Sequence, residues 1–548
     1  MGPDGLGAML AELRDDLGFR RIEQGIRRLE CIRPMVDTLR PETVNSGVLV
    51  GLIAQWIDAG FDSPQLLCRL LARFPGTTRS ALTLLDYLHI RMAEGAWAMS
   101  QEDFDGAAVH FRFVQSLDSD AGDPELLAIA NFWTARCLRK TGQYDDALGY
   151  IERGEALALS CGYPQMAAIM QANRSWLSFQ KGKLSEAIAV LRHAEEALSR
   201  TDDFLSRGNI QSAYGRIARR QGRYERAVEY FERAISEYRL GGGEHLQLAR
   251  TLLNLAFVKR LLALQWQKDA DHVSAARRSA RDDPASAERV REHRVRIERI
   301  RGEAQAELAE SSAIYEGRQS HRGIAGVHIN KGFLCLDAGD LECAAAEAAE
   351  AFRHGESKTD YIVMARARTI QCMVENAALE EQVGDPGVHH ETAESFARDA
   401  VAFAGHTQNR RLLARAYVWQ GLTYAVEPYG DSEAARRCCE QAIALLQPEG
   451  SERQYVWEDL EALKSRVLHA RPVDPLLRAW SAGVVDNKSF SQLTEEFARV
   501  VIPRVWEREG RKVSRVAEKL SISPKKVRRI LHSAGMHVGP SGLPGDGA

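Results

Sequence analysis

Aromatic residues are scarce in this 548-residue chain, at 7%. That weakens any case for a sheet-built fold, because strands draw on aromatic and β-branched side chains. The nine cysteines are scattered, and the closest pair, Cys438 and Cys439, are sequence neighbours without CxxC spacing. The expectation is reduced thiols in a cytoplasmic setting, with neither a disulfide framework nor a zinc site. Long apolar runs are missing too: the longest, Ser46 to Phe61, is broken by Gln55 and Asp58 and falls short of the ~20 residues a membrane helix needs. The N-terminal residues show no basic segment leading into an apolar stretch, so no signal peptide and no membrane partner are expected. Enzyme signatures are lacking as well. There is no Walker loop, dinucleotide turn, HExxH or GxSxG, and the glycines 241–243 follow a helical pattern that they serve to terminate. The chain is expected to be no enzyme, with no catalytic residue, no cofactor and no metal.

What the chain holds is 45% apolar and 27% charged residues, with the abundant Ala, Leu, Arg and Glu that favour helices. A prior of about 150 residues per domain gives three or four units. Net charge is −3, unevenly spread: residues 508–536 carry nine Lys/Arg against Glu509 and Glu518, a local +7 that leaves about −10 elsewhere. An acidic body with a basic tail unit is the asymmetry of a nucleic-acid-binding appendage.

Four segments repeat in steps of 40 residues: Phe104-x2-Ala107-x3-Phe111, Tyr144-x2-Ala147-x3-Ile151, Leu184-x2-Ala187-x3-Leu191 and Tyr224-x2-Ala227-x3-Phe231. Gly142, Gly182 and Gly222 stand two residues before the leading residue, with Glu102 in that place in the first copy. In a helical hairpin the glycine permits the turn, the leading large residue plugs the gap, the alanine lets two helices approach, and the second large residue packs on the neighbour. The pattern resumes at Gly339-x-Leu341-x2-Ala344 and Gly430-x-Ser432-x2-Ala435, with degenerate copies at Ala304/Leu308 and Ala393/Ala397. Over about residues 85–450 the chain resembles the tetratricopeptide family, with helices longer than those of the usual repeat of roughly 34 residues.

Three stretches take plain readings. Lys259 to Arg301 mixes many arginines with acids such as Asp269, Glu288 and Glu298, the mark of a solvated helix face stitched by i,i+4 pairs. Ala285 to Tyr315 reads as one extended helix. The adjacent His389 and His390 point apart on a helix and do not make a metal site. Residues 1–85 are helical by pattern and are expected to cap the first hairpin.

After Arg471-Pro472-Val473-Asp474-Pro475 a new unit begins. Phe490, Leu493, Phe497, Val500, Val501 and Val505 make an amphipathic helix ending at Gly510, with Pro503 as a source of a kink. Val513, Val516, Ala517, Leu520 and Ile522 form a short helix and turn, and Ser523 is placed to cap a last helix with Pro524 at its first position. Gly510 to Met536 resembles the C-terminal DNA-binding domain of the Fis family, keeping Gly510, Val516-Ala517, Leu520, Ile522, Val527, Leu531 and Gly535-Met536. It departs at Arg511, Ser521 and Pro524, where the family has Asn, Gly and usually Arg. The resemblance implies a helix-turn-helix that docks double-stranded DNA through Ser523, Lys525, Lys526, Arg528 and Arg529, with Arg511, Lys512 and Arg515 near the backbone. Arg528 and Arg529 suit guanine edges and the lysines suit phosphates. It also implies a homodimer reading two half-sites.

The expected architecture is therefore all-α: an N-terminal helical cap over 1–85, a right-handed tetratricopeptide-type hairpin solenoid over 86–470, and a Fis-like helix-turn-helix domain over 484–540. A concave groove in such a solenoid would present Asn131, Asn173, Asn254 and Asn330 with Arg136, Arg139, Arg216, Arg219 and Arg220, which suit a peptide backbone and a carboxylate. Bacterial tetratricopeptide regulators that bind signalling peptides look similar. The expected function is a cytoplasmic DNA-binding transcriptional regulator whose solenoid senses a peptide or protein. The alternative is a non-catalytic scaffold whose C-terminal unit docks protein.

Overall fold

A computed structural model describes residues 3–117, 122–242, 246–279, 284–427, 429–446, 455–469 and 488–536. Among them all extended secondary structure is helical, and no helix is long and apolar enough to cross a membrane. The chain opens with α1 (Pro3–Gly18), α2 (Ile22–Cys31), α3 (Arg33–Asp37), α4 (Ser46–Asp58) and α5 (Pro64–Leu71). The longest apolar run of the sequence is α4, buried on every side through Val48, Leu49, Val50, Leu52, Ile53 and Trp56.

Eight hairpins follow, each with a first helix A and a second helix B. They are α6/α7 (Leu84–Ser100, Phe104–Ser116), α8/α9 (Pro124–Thr141, Tyr144–Ser160), α10/α11 (Pro164–Gln180, Leu184–Leu198) and α12/α13 (Phe204–Arg220, Tyr224–Leu240). Next come α14/α15 (Leu246–Ser279, Pro284–Gly317), α16/α17 (His321–Asp337, Leu341–Glu356), α18/α19 (Tyr361–Glu380, Pro386–Gly405) and α20/α21 (Arg410–Tyr424, Ser432–Leu446). Helix α22 (Tyr455–His469) packs on α20 and α21. Four B helices begin at Phe104, Tyr144, Leu184 and Tyr224, where the repeat register puts them. Gly142, Gly182 and Gly222 adopt φ of +88°, +89° and +72°, a left-handed turn that costs glycine nothing. Glu102 takes the same conformation at +60°.

Inside each hairpin the volumes match. The second large residue of helix B (Phe111, Ile151, Leu191, Phe231) is fully buried. It faces a small residue sixteen positions earlier on helix A: Gly95, Ala135, Ser175 and Gly215. A Cβ on Gly95 or Gly215 would fall 2.4 or 2.7 Å from the facing phenylalanine ring. Glycine thus pairs with Phe and slightly larger residues with Ile and Leu, which keeps the interhelical gap filled at every step.

Each A helix also touches the next A helix, whereas B helices pack mainly on A helices. The A helices therefore take the shorter inner circumference and line the concave wall. The curvature brings the superhelix back onto itself. At the A–B turn of the first hairpin, Glu102 accepts from the Ser320 hydroxyl at 2.5 Å and the Arg322 amide at 3.0 Å. At the second, the Gly142 carbonyl accepts from the Gln408 amide at 2.9 Å, the Asp145 amide donates to Gln408 Oε1 at 2.7 Å and Asn409 donates to the Tyr144 hydroxyl at 3.2 Å. Hairpins one and two thus dock on the entrances to hairpins six and eight.

The N-terminal segment does more than cover the first hairpin. While α4 packs on α6, α1 and its following turn reach the N-terminal ends of three more A helices. Arg14 pairs with Asp123 at 2.9 Å and Arg20 with Asp203 at 2.7 Å; the Tyr163 hydroxyl donates to Asp15 at 2.8 Å. The amides of Ile22 and Glu23 both donate to Asp202 at 2.8 Å. It is a strap across hairpins one to four.

Two expectations change. Cys335 and Cys343 are disulfide-bonded across the turn between α16 and α17, where reduced thiols were expected throughout, because the hairpin turn brings residues eight apart face to face. The Lys259–Arg301 stretch is not solvated from its start: Lys259 is buried and pairs with Glu303 at 2.9 Å and with Glu307. Beyond it, Arg291–Glu288, Arg301–Glu298 and Arg299–Glu303 are the expected exposed i,i+3 and i,i+4 pairs.

The C-terminal unit comprises α23 (Phe490–Arg508), α24 (Val513–Lys519) and α25 (Pro524–Ser533). Ile502, Trp506, Val513, Val516, Ala517, Val527, Ile530 and Leu531 form its core. Ser523 caps α25 by accepting from the Lys526 amide at 3.2 Å. Arg511 and Ser521 adopt φ of +59° and +53°, so two of the three departures from the Fis pattern fall where Asn or Gly would sit with less strain.

Candidate functional site

The concave wall gathers positive charge. Burial, followed by the charges of Arg250, Arg136 and Arg216, pulls the Arg139 guanidinium well below its ordinary value. Lys140 is lowered in the same way by burial and then by Arg322, Arg250 and Arg139. Arg216 is brought down to about 9, again by burial first and Arg250 next. A guanidinium keeps its proton at neutral pH, so the repulsion is stored as unfavourable electrostatic energy. These cations come from α8, α12, α14 and α16, and they converge because the superhelix is tight. Among the described residues, Arg139, Lys140, Arg216 and Arg250 make no ion pair with a carboxylate, and the buried Nε atoms of the three arginines have no hydrogen-bond partner. Arg139 lies over the Trp176 ring at 4.9 Å, and Arg219 over Phe257 at 5.3 Å. Two arginines of the wall thus lie over aromatic faces.

The expected groove residues divide. Asn131, Asn173, Asn254 and Asn330 share one habit, each Nδ2 donating to the carbonyl four residues earlier at 2.8, 3.1, 2.7 and 2.8 Å. Asn254 Oδ1 also accepts from Arg219 at 3.0 Å, while Asn330 Oδ1 is buried without a partner. Asn376, unremarked in the sequence, does the same with Cys372 at 2.9 Å. Arg136 is tied to Asp58 of α4, and Arg220 is buried against the Phe179 carbonyl and ring. Arg139 and Arg216 of that set join the converging cations. Lys140 and Arg250, which complete the cluster, carry no signal in the repeat pattern because it is the curvature that assembles them.

In the C-terminal unit Arg511, Lys512, Arg515, Ser523, Lys525, Lys526, Arg528 and Arg529 are all exposed. Arg529 lies 3.7 Å from Glu495 of α23 and Arg511 sits over the Trp506 ring at 5.7 Å. Among the described residues Lys525, Lys526 and Arg528 make no ion pair. On α25 the buried side is Val527, Ile530 and Leu531, which turns these cations outward. His389 turns to Glu375 at 2.6 Å while His390 stacks on Tyr429 at 5.1 Å, so the two histidines diverge.

Residues 206–268 match the family model described as tetratricopeptide repeat. Among solved structures, the chain is similar to a Rap protein complexed with competence and sporulation factor: TM-score 0.51, 13% identity, 73% of this chain and 98% of that one covered. It is similar to the apo quorum sensor NprR from B. thuringiensis at TM-score 0.46 and 13% identity, covering 73% and 99%. A third similarity is to the human IFIT1 dimer with m7Gppp-AAAA, at TM-score 0.45 and 14% identity, covering 85% and 95%. No curated protein matches the sequence. The fold is thus an all-helical, tetratricopeptide-like solenoid.

Proposed function

We propose that the protein is a non-catalytic, DNA-binding transcriptional regulator whose closed solenoid binds a peptide or protein through a carboxylate placed against Arg139, Arg216 and Arg250. The observation that carries this reading is the uncompensated cation cluster on the concave wall, because an incoming anion would relieve repulsion that the fold leaves unpaired. The complex of a Rap protein with competence and sporulation factor, on a similar fold, accords with it. Fluorescence-labelled random pentapeptides with a free C-terminal carboxylate should bind. C-terminal amidation, or Arg216→Gln with Arg250→Gln, should weaken them by roughly ten- to a hundred-fold, the ~1.5–3 kcal/mol of a charge-assisted hydrogen bond. Equal binding of amidated peptides would end the assignment.

The C-terminal unit supplies the output. One such unit would hold DNA only in the roughly 10⁻⁴–10⁻⁶ M range, so the reading includes a homodimer through α23, whose Phe490 and Phe497 are 85% and 48% exposed. Duplex binding should fall steeply with salt. Arg528→Ala should cost about 1–3 kcal/mol at one base position, and Lys525→Ala should lower the salt slope by about one. Failure of the full chain to retard any duplex would leave the scaffold reading, with the same exposed phenylalanines as the docking surface.

A further inference from the structure

The sixth hairpin gathers three histidines that neither the peptide site nor the DNA-binding surface uses. We propose that His328, Glu350 and His354 form a binding site for a single zinc-type divalent ion that ties α16 to α17. Glu350 and His354 stand four residues apart and share one face of α17, while His328 projects from α16. Their candidate ligand atoms all lie within 4.8 Å of one another. A tetrahedral ion with bonds of ~2.1 Å separates its ligands by about 3.4 Å, so modest rotations of these partly exposed side chains close the site.

The site has the support that a ligand histidine needs. Glu347 Oε2 lies 2.6 Å from His328 Nδ1. A carboxylate can only accept there, so the proton sits on Nδ1 and Nε2 is left with a free lone pair. The His354 ring stacks on His328 at 5.8 Å, and His321 follows at 6.0 Å from His354. His321 Nδ1 is buried without a hydrogen-bond partner but stands outside the group of three, so water would complete the ion's shell. Glu350 is also paired with the exposed Arg353, but its second oxygen remains for the ion. Nitrogen donors with one carboxylate suit zinc, cobalt and nickel, whereas magnesium and calcium take oxygen sets. The His354 ring contacts His321, which stands between Ser320 and Arg322 where they dock on the first hairpin, so the ion would sit beside that contact.

The test uses the untagged full chain, stripped with a chelator and titrated with Co²⁺ alone while its visible absorption is followed, then competed with Zn²⁺. One equivalent should bind with the absorption of a four- or five-coordinate ion. Glu347→Gln should weaken it by about 10–100-fold, and His328→Ala and His354→Ala by more. His389→Ala, in the neighbouring hairpin, should change nothing. Circular dichroism of the metal-free variants establishes that they are folded. If Co²⁺ does not bind saturably, or if folded His354→Ala binds as the parent does, the site does not exist. Peptide and DNA binding by the stripped chain are separate readouts and do not bear on this one.

Discussion

Gly215 and Gly332 occupy the same place in their repeats, sixteen residues before Phe231 and Ala348, yet the same substitution should move stability in opposite directions. Replacing a helix-interior glycine by alanine removes a backbone-entropy cost of about 0.5–1 kcal/mol. At Gly332 the added Cβ meets Ile370 Cγ2 at 3.6 Å and the Ala344 carbonyl at 3.7 Å, ordinary contact distances, so Gly332→Ala should stabilise by that amount. At Gly215 it falls 2.7 Å from the Phe231 ring, and that ring is fully buried. Overpacking of this kind costs about 1–3 kcal/mol, which outweighs the entropy gain and leaves Gly215→Ala destabilised by roughly 1–2 kcal/mol. Urea unfolding followed by circular dichroism reads the two midpoints, and hydrogen exchange of α12 and α16 localises the changes. Adding Phe231→Leu to Gly215→Ala should recover part of the loss through a coupling of about 0.5–3 kcal/mol. If both alanine variants shift stability the same way, the volume-matching argument fails.

Ser521→Gly should stabilise the C-terminal unit by about 1 kcal/mol, since Ser521 sits at φ +53° and glycine carries no penalty there; a lower melting temperature would contradict this. Stability should decline as pH falls below about 6.5. Buried His89 has its pKa lowered from 6.5, chiefly by burial, so the unfolded chain takes up a proton that the folded chain refuses. In His89→Asn that slope should flatten in pH-dependent unfolding curves. A further loss is expected between about pH 4.5 and 2. Burial alone would raise Glu94, but its bonds to His110 and Arg79 outweigh this and hold it at about 2. Glu94 therefore contributes stability above its unfolded value that disappears on acidification, and Glu94→Gln should reduce that second step.

The start of each regular B helix was legible because a large residue, an alanine and a second large residue recur at fixed offsets, and the turn glycines confirm the register. The facing small residues were not, since Gly, Ala and Ser share one position and no single residue type marks it. Lys140 and Arg250 were invisible for another reason: their proximity depends on rotations accumulated over several hairpins. The aspartates at helix entrances could have been read further. Asp123 and Asp203 cap α8 and α12, yet they also receive Arg14 and Arg20 of the strap, and nothing local to them announces a partner more than a hundred residues away. On α25 the cap and the proline followed from spacing alone, because the start of a short helix needs no tertiary information, whereas its cations were singled out through the family resemblance.

A linear stack of hairpins frays from either end, because a terminal repeat has one neighbour to lose. The bonds from Gly142, Asp145 and Tyr144 to Gln408 and Asn409 give this stack a second boundary. Peeling away the eighth hairpin breaks contacts with the second, so early and late repeats share the cost of opening. The array should unfold more like a closed ring than an open chain, and a molecule wedged into its interior would be felt at the far end without any relay through the repeats between.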